Sequence, residues 1–439
     1  MTDEISPIST QDIATTTSWF RHAAPYIHAH RGATFVISVD GKTIASNNFD
    51  NLIHDLALLN SLGIRLVIVY GARHQIEQQC QQDNIAVQYH QGLRVTDDAS
   101  LKIAKTIVGQ LRLEFEAKLS FSLPHTPMAD AQIRCSSGNF VTAQPAGIIE
   151  GIDLGHTGQV RRIDIQAIEQ QLDLNNIVLL PPLGYSPTGE IFNLSAEAIA
   201  TVCASDLKAD KLIFIGDSHA ELPKEMVVMQ AEDALMEFDL PDNHTLQAAI
   251  DACEAGVKRV HLLDREQDDA LLQELFTRDG AGVLISATAF ETTRIATIDD
   301  IGGILELIQP LEQSGILVKR AREDLELHVQ SFVVMERDGT ILACAALHAY
   351  PENAVGELAC LAVSPDYRGS GRGEQLLTAI EFQARKHKLK TLYVLTTQTS
   401  HWFLEQGFVA AEVVDLPVEK QTLYNYQRNA KIFKKTMPF

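Results

Sequence analysis

The sequence lacks long apolar runs, and its first residues lack basic charge. The opening stretch MTDEISPISTQD has neither the basic nor the apolar region of a secretory signal. No apolar run reaches the ~18–20 residues that a membrane-spanning helix requires. We therefore expect a cytoplasmic protein.

Basic residues are also scarce. The chain has 36 Lys and Arg residues against 57 Asp and Glu residues, which gives a formal net charge of −21. A chain this acidic is repelled by a phosphate backbone, which argues against general nucleic-acid binding. Small anionic ligands stay compatible with it, because backbone N–H groups at a local site can outweigh the net charge.

Cysteine is rare and scattered, with six residues and no C-x-x-C spacing. This pattern predicts free thiols in a reducing compartment rather than a disulfide framework or a zinc site. No H-E-x-x-H motif or Cys/His cluster occurs either. We therefore predict no metal cofactor.

What is present is an ordinary globular composition over 439 residues, enough for two or three domains. Up to about Ser286, apolar runs such as IRLVIVYG and DKLIFIGD alternate with helical patterns. This alternation predicts an α/β domain with a mainly parallel sheet covered on both faces. Ligands of such sheets gather at the carboxyl ends of the strands, where Gly71 and Gly184 fall.

The pattern changes near Glu291, and we predict two domains, 1–287 and 288–439. In the second, SFVVMERDGTILACAALHAY predicts a hairpin that turns at Asp338-Gly339. We also predict a helix over 301–313 capped by Asp299, and strands over 356–363 and 427–435. This order of helices and strands predicts that the second domain is a smaller α/β domain.

A glycine-rich segment, CLAVSPDYRGSGRGEQLL, joins a predicted strand to a predicted helix. Its spacing is R-x-x-G-x-G at Arg368, Gly371 and Gly373, which matches neither the nucleotide P-loop nor the dinucleotide fingerprint. Free N–H groups at a helix N-terminus favour an anion, and glycine lets the backbone approach a pyrophosphate closely. Arg368 and Arg372 would add charge-assisted bonds.

The element order around this loop resembles the GNAT acetyltransferases, where such a loop holds the pyrophosphate of acetyl-CoA, and HWFLEQGF is similar to that family's late helix. The stretches GARHQI, GLRVTD, SGNF, ELFTRDG, ATIDDIGGILELI and YNYQR resemble the bacterial two-domain N-acetylglutamate synthases. That resemblance implies an amino-acid-kinase-like first domain, a GNAT second domain, and acetyl transfer from acetyl-CoA to the α-amine of L-glutamate. It also implies the first step of arginine biosynthesis, inhibition by L-arginine, and a homo-oligomer, a hexamer, interlaced by the segment TTTSWFRHAAPYIHAH.

The first domain departs from a working kinase of that fold. Ser38-Val39-Asp40-Gly41 stands where such kinases have a lysine and paired glycines, and Gly71-Ala72-Arg73-His74 stands where they have three glycines. Without the lysine, a phosphoryl transition state loses its main stabilisation. We expect no kinase activity, although Arg73 could stand in for the lysine.

The resemblance places an arginine pocket on LLQELFTRDGAG. Glu274 would bind the guanidinium, Lys211 the α-carboxylate, and the backbone of Gly280 and Gly282 would line the pocket. Without the resemblance, Glu274 is interpreted as a solvated charge on a helix face.

Acetyl transfer to a protonated amine requires a base. Glu357 alternates with apolar residues in GELACLAV, and burial there disfavours the ionised carboxylate, which suits a base; an outward-facing charge is the alternative. Backbone N–H groups near Leu361, Ala362 and Val363 are the predicted oxyanion donors. Cys360 invites an acetyl-cysteine intermediate, but strand alternation predicts it on the face opposite Glu357, so we expect direct attack.

The general acid stays open. GNAT enzymes often use a tyrosine in the late helix, but Phe403 stands there. Ser400, Tyr424 and Tyr426 are the alternatives, or the thiolate leaves without an acid. We retain Ser400 as the candidate.

Two groups of ligand contacts complete the prediction. For acetyl-CoA the candidates are Leu361, Ala362, Val363, Arg368, Gly369, Ser370, Gly371, Arg372, Gly373 and Glu374. For the carboxylates and amine of glutamate they are the cations Lys319, Arg320 and Arg428, with Leu395 and Thr396. A GNAT enzyme for another amine, a non-catalytic amino-acid sensor and a true acetylglutamate kinase are the rival interpretations.

Overall fold

The computed structural model describes residues 10–120, 133–238, 243–277, 279–287, 291–337, 339–369, 371–422 and 430–437. The chain divides into two compact units, Met1–Thr288 and Ala289–Phe439. Each unit has its own sheets and its own apolar core. Among the described residues, no helix combines the length and apolar character needed to cross a bilayer.

The first unit is built on an eight-stranded sheet. In sheet order its strands are β14 (Glu225–Val227), β16 (Val283–Ser286), β15 (Arg259–Asp264), β13 (Lys211–Gly216), β1 (Thr34–Val39), β2 (Arg65–Tyr70), β10 (Ile177–Leu180) and β5 (Cys135–Ser137). Within the described strands of this eight-stranded sheet, only β15 and β16 pair antiparallel. The mainly parallel sheet predicted from the alternating apolar runs is confirmed.

Helices cover both faces of this sheet because its strands are apolar on both sides. They are α1 (Thr10–His30), α2 (Gly41–Ile44), α3 (Phe49–Ser61), α4 (Arg73–Gln82), α5 (Asp98–Leu119), α6 (Ile165–Asp173), α7 (Ala196–Asp206), α8 (Val228–Glu237), α9 (Asn243–Glu254) and α10 (Ala270–Phe276). Asp97 and Ser195 cap α5 and α7 by accepting hydrogen bonds from first-turn N–H groups.

Smaller sheets complete the first unit. A four-stranded sheet contains β12 (Ile191–Asn193), β11 (Leu183–Tyr185), β6 (Val141–Pro145) and β9 (Gly158–Ile163). Two hairpins are formed by β3 (Gln88–His90) with β4 (Leu93–Val95), and by β7 (Ile148–Ile149) with β8 (Ile152–Asp153).

The second unit is built on a seven-stranded sheet. In sheet order its strands are β17 (Thr292–Ile295), β18 (Phe332–Arg337), β19 (Thr340–Tyr350), β20 (Val355–Val363), β21 (Thr391–Thr396), β23 (Lys431–Thr436) and β22 (Val409–Ala411). Its helices are α11 (Ile301–Gln313), α12 (Arg322–Leu327), α13 (Arg372–Lys386), α14 (Ser400–Glu405) and α15 (Val418–Thr422). Helix α13 packs on one face of the sheet and α11 on the other.

The predicted elements of this unit are present, with shifted ends. The helix over 301–313 and the β18–β19 hairpin are confirmed. The cap at Asp299 is wrong, because a short 3-10 turn precedes the helix and Asp300 accepts the hydrogen bond from Thr297 N at 2.7 Å. The last strand begins at Lys431, and residues 423–429 lie outside the described part of the chain.

Candidate functional site

Strands β20 and β21 diverge in the middle of the second sheet. Their parallel pairing ends at Leu358 and Val394, whereas β20 continues to Val363 and β21 to Thr396. Backbone groups on the facing edges of these two segments therefore lack each other as partners. Such a gap at the carboxyl ends of two parallel strands can admit an extended ligand.

A β-bulge in β20 lies beside this gap. Ala345 of β19 faces two residues of β20, Cys360 and Leu361, and Cys360 has a left-handed φ of +50°. Leu358, which precedes the bulge, packs in the core under α13. Cys360, two residues later, would pack on the same face in a regular strand, but the bulge turns it into the core under α11. Cys360 thus shares the side of Glu357, and the prediction that the two lie on opposite faces is wrong, because the inserted residue interrupts the alternation.

Glu357 is buried, with 8% of its surface exposed. Its Oε2 lies 2.8 Å from Nζ of Lys420 on α15, but no group in the described structure approaches that oxygen with hydrogen-bond geometry. Tyr350 and His348 of β19 lie close to the same carboxylate, and His348 is directly opposite Glu357. Burial, with the nearby Glu357 charge, raises the pKa of Tyr350 to about 12, and burial lowers the pKa of His348.

Arg320 reaches the bulge from the segment before α12. Its Nη1 donates to Sγ of Cys360, and its backbone N–H donates to Oε1 of Glu312 at 3.0 Å. Burial raises the pKa of the Cys360 thiol to about 11, although Arg320 opposes this shift. The neighbouring Lys319 is exposed. The structure therefore brings Arg320, but not the ammonium of Lys319, into contact with the bulge.

The glycine-rich loop ends at the first turn of α13. Gly369 and Gly371 have φ of +84° and +75°, and Gly371 is the N-cap residue of the helix. A Cβ atom on Gly373 would lie 3.2 Å from the Trp402 ring, which is tighter than ordinary contact. The first N–H groups of α13 have no acceptor within the helix, so this turn can bind an anion.

The two arginines of the loop behave differently. Arg372 forms an ion pair with Glu291, with Nε 2.9 Å from Oε2, and its guanidinium lies 5.0 Å from the centre of the Tyr367 ring. Arg368 is exposed and makes a long contact of 3.4 Å from Nε to the Val363 carbonyl. The side chain of Arg372 therefore holds the loop in place, while that of Arg368 extends toward solvent.

The remaining predicted contacts lie at the end of β21 and on α14. Thr396 is buried, and its Oγ1 accepts hydrogen bonds from the N–H groups of Thr399 at 3.1 Å and Gln398 at 3.3 Å. This hydroxyl shapes the turn into α14, where Ser400 is the first residue and is half-buried, as is Leu395.

Some predicted residues fall outside the described part of the chain. They are Ser370, Arg428 and the alternative acids Tyr424 and Tyr426.

In the first unit, Glu274 of α10 lies at the centre of a buried polar cluster. Its Oε2 accepts hydrogen bonds from the N–H groups of Ala281 at 2.6 Å and Gly282 at 2.9 Å. Its Oε1 lies 2.5 Å from Nδ1 of His261, whose Nε2 lies 3.3 Å from Nζ of Lys211. The interpretation of Glu274 as a solvated surface charge does not hold, because its side chain is only 5% exposed.

The charge states in this cluster follow from the contacts. Burial lowers the pKa of His261 to about 4, so the ring is neutral and its Nδ1–H donates to Glu274. Burial opposes ionisation of Glu274, but the His261 hydrogen bond and the backbone N–H donors lower its pKa to about 2. A Cβ on Gly280, which has φ of +60°, would lie 2.5 Å from Oε2 of Glu274. Only glycine fits there without displacing the carboxylate.

The carboxyl ends of β1 and β2 open onto a cavity of about 620 Å³ lined by Asp40, Gly71, Arg73 and Arg94 among others. Asp40, whose pKa is raised by burial, lies 3.3 Å from Nη1 of Arg265. Arg94 pairs with Glu77 at 3.1 Å. Asp40 and Arg94 of this lining are thus each paired with an opposite charge.

No cluster of His, Cys, Asp or Glu with metal-ligand geometry occurs among the described residues.

Two family models match the chain. The amino acid kinase family matches residues 33–220, and the acetyltransferase (GNAT) family matches residues 303–408. Amino-acid acetyltransferases from Ectopseudomonas mendocina and Azotobacter vinelandii are 50% and 51% identical over 427 residues, which is 96% of this chain and 99% of each relative. This chain belongs to the amino-acid acetyltransferase family.

Solved structures agree with this assignment. The N-acetylglutamate synthase of Neisseria gonorrhoeae, complexed with coenzyme A and L-arginine, matches with a TM-score of 0.90 and 38% identity, over 96% of this chain and 99% of that one. The same enzyme with coenzyme A and N-acetyl-glutamate matches with a TM-score of 0.61. The predicted fold of this amino-acid acetyltransferase, a kinase-like unit followed by a GNAT unit, is thereby confirmed.

Three polar residues of this acetyltransferase, His261, Lys420 and Arg265, were not predicted from the sequence. A histidine inside the apolar run RVHLLD could have marked His261 as a buried polar group. No comparable signal marks Lys420, since PVEKQT resembles any exposed helix start. Arg265 follows β15 directly, and its pairing with Asp40 depends on the order of strands in the sheet.

Proposed function

We propose that this protein transfers the acetyl group of acetyl-CoA to the α-amine of L-glutamate, giving N-acetyl-L-glutamate and CoA in the first step of arginine biosynthesis. The observation that carries this proposal is the buried carboxylate of Glu357, which lies beside the diverging strands and keeps acceptor capacity besides its ion pair with Lys420. An arriving ammonium group can donate to it. The Neisseria gonorrhoeae relative crystallised with coenzyme A and N-acetyl-glutamate supports glutamate as the acceptor.

Glu357 is the general base in this proposal. It accepts one proton from the α-ammonium group, which frees the nitrogen lone pair to attack the thioester carbon. Backbone N–H groups of Leu361, Ala362 and Val363, on the diverging part of β20, stabilise the oxyanion of the adduct. When the C–S bond breaks, the hydroxyl of Ser400 protonates the leaving sulfur and recovers a proton from the new amide nitrogen.

The first turn of α13 is proposed to hold the pyrophosphate of acetyl-CoA. The left-handed Gly369 and Gly371 leave no Cβ between the ligand and the backbone N–H groups. Arg368 can turn to a phosphate because its present contact is long. Arg372 contributes its backbone N–H, since Glu291 holds its side chain. Ser370, Gly373 and Glu374 complete the set.

The carboxylates of the amino acid are assigned to the cations at the bulge. Arg320 contacts Cys360 next to Glu357 and is therefore the central one. Lys319 and Arg428 are proposed as further cations that bind these carboxylates. Leu395 and Thr396, at the end of β21, are proposed to contact the substrate.

The Glu274 cluster is the proposed arginine site. Its carboxylate accepts three hydrogen bonds, whereas a carboxylate can accept about four, so a guanidinium N–H can add to Oε1. Lys211 lies at the other end of the cluster and suits the α-carboxylate, with the Gly280 and Gly282 backbone lining the site. The Neisseria gonorrhoeae structure complexed with L-arginine supports binding of this ligand, and we propose that its binding inhibits the reaction.

The first unit is proposed to be regulatory and not a kinase, with domain limits of 1–287 and 288–439. Asp40 and its partner Arg265 stand where a phosphate-binding lysine would be needed. Trp19 and Phe20 on α1 are 45% and 59% exposed, which supports burial against another subunit in a homo-oligomer, a hexamer. The six free thiols suit a reducing cytoplasm.

The test is thiol release from acetyl-CoA across a panel of amino acids and a lysine peptide. We expect release with glutamate only, and a fall of about 10²- to 10⁴-fold in kcat for Glu357→Gln with coenzyme A binding retained. Glu352→Gln, an exposed glutamate just before β20, is the matched control and should keep full activity. Absence of glutamate-dependent release, or of any calorimetric affinity for coenzyme A, overturns the proposal.

A further inference from the structure

Lys420 is the one cation within ion-pair distance of Glu357 in the described structure. Its Nζ lies 2.8 Å from Oε2, with the two side chains 28% and 11% exposed. Oε2 nevertheless has no hydrogen bond of normal geometry. The ammonium is thus paired with the carboxylate that the proposed reaction uses as its base.

The position of Lys420 is built by its surroundings. Helix α15 begins after Pro417, and Gln421 donates from Nε2 to the Leu416 carbonyl at 2.7 Å. Asp415, just before, pairs with Lys434 of β23 at 3.0 Å. Asp415 thus ties the segment before the helix to the sheet, and Gln421 ties the helix to that segment, which limits the movement of Lys420 relative to Glu357.

Other groups facing Glu357 do not replace this charge. They are His348 and Tyr350 from β19, Cys360 from β20, Tyr393 from β21, Arg320 from the segment before α12, and Glu419 from α15, with His328 beyond His348. Burial keeps His348 and Tyr350 uncharged, and Arg320 is directed to the sulfur of Cys360.

The proposed reaction brings a second ammonium group to the same carboxylate. The α-ammonium of the amino acid must reach hydrogen-bond distance of Glu357 to lose its proton. Two like charges at one buried carboxylate repel each other strongly in a site of low dielectric. Lys420 must therefore give way when the substrate binds.

We propose that Lys420 is a positioning residue that occupies the amine subsite as a substitute ammonium. It pairs with the Glu357 carboxylate between turnovers. It is exchanged for the α-ammonium of the substrate when the amino acid binds, and it returns to the carboxylate after product release. This inference rests on the proposed function of Glu357.

The test compares Lys420→Met with Lys420→Arg and with the matched control Lys435→Met, which removes an ammonium paired with a different carboxylate of the same unit, Glu381. In Lys420→Met, we expect the KM for glutamate above pH 8 to fall about three- to fivefold, since no ion pair must be displaced. We expect kcat to stay within a few-fold of wild type, because Glu357 itself is unchanged. Lys420→Arg should keep the wild-type KM, and Lys435→Met should keep both KM and kcat.

The outcomes separate this inference from the function on which it depends. Wild-type enzyme without glutamate-dependent thiol release removes the proposed function itself. Active wild type, with an unchanged or raised KM for glutamate in Lys420→Met, overturns the role of Lys420 alone. Coenzyme A affinity and melting temperature of each variant show whether it is folded, and Lys420→Gln serves if Lys420→Met is not.

Discussion

The imidazole of His261 lies between Lys211 and the carboxylate of Glu274, with Nδ1 2.5 Å from Oε1. Because Lys211 can only donate, the facing Nε2 must accept, which assigns the ring proton to Nδ1. Three buried polar side chains are thus satisfied in one chain of hydrogen bonds, positive at one end and negative at the other. Such a chain presents opposite charges at two ends, as an amino acid with a cationic side chain requires.

Glu274→Gln should relieve inhibition by arginine. Loss of a charge-assisted hydrogen bond costs about 1.5–3 kcal/mol, so the half-inhibitory concentration should rise by about tenfold or more. Activity without arginine should change little, because Glu274 lies in the first unit. Inhibition curves of thiol release measure the shift. Glu232→Gln, an exposed residue of α8, is the control, and equal inhibition of both variants would refute the assigned site.

The unfolding free energy should depend on pH through His261. Its pKa is lowered from 6.5 to about 4, so the unfolded chain binds the proton more readily than the folded one. The stability contribution is present above pH 6.5 and is lost as pH falls toward 4. Urea unfolding at several pH values should therefore show a smaller loss of stability on acidification for His261→Gln than for wild type. The exposed His401→Gln should follow wild type; parallel curves for all three proteins would contradict the prediction.

Gly371→Ala should weaken acetyl-CoA binding and lower stability. A left-handed φ of +75° costs a non-glycine residue about 1 kcal/mol, and the new methyl group faces the proposed phosphate site. The control is Gly302→Ala in α11, where no atom lies within 4 Å of the added Cβ and a gain of up to about 1 kcal/mol is expected. Thermal melts and KM for acetyl-CoA distinguish them. Unchanged KM in Gly371→Ala would place the pyrophosphate elsewhere.

Cys360→Ala should keep turnover within a few-fold of wild type. Burial raises the pKa of this thiol to about 11, so little thiolate exists at neutral pH. Direct attack by the amine therefore needs no acetyl-cysteine, even though the bulge places Cys360 on the side of Glu357. Mass spectrometry of enzyme mixed with acetyl-CoA alone should show no acetyl adduct. An adduct on Cys360, together with an inactive variant, would establish a two-step reaction instead.

Periodic and local features were predictable from the sequence. Apolar runs broken by helical patterns were sufficient for the parallel sheet, and the hairpin and the helix over 301–313 followed from turn residues and period. The spacing of the glycines predicted the loop before α13, because backbone positions with a left-handed φ are occupied mainly by glycine.

Contacts between distant segments were decided only in the tertiary structure. The bulge at Cys360 moves one side chain to the other face without any change in the local apolar pattern, so alternation alone misplaced it. Lys420 meets Glu357 because α15 lies near the beginning of β20, where Leu416 packs with Val355. Arg265 meets Asp40 because β15 and β1 flank β13. The sequence by itself determined which segments are strands, helices and glycine turns, since these follow from near-neighbour sterics and burial. Which charge faces which was determined by packing, because an ion pair depends on distance in space and has no period along the chain.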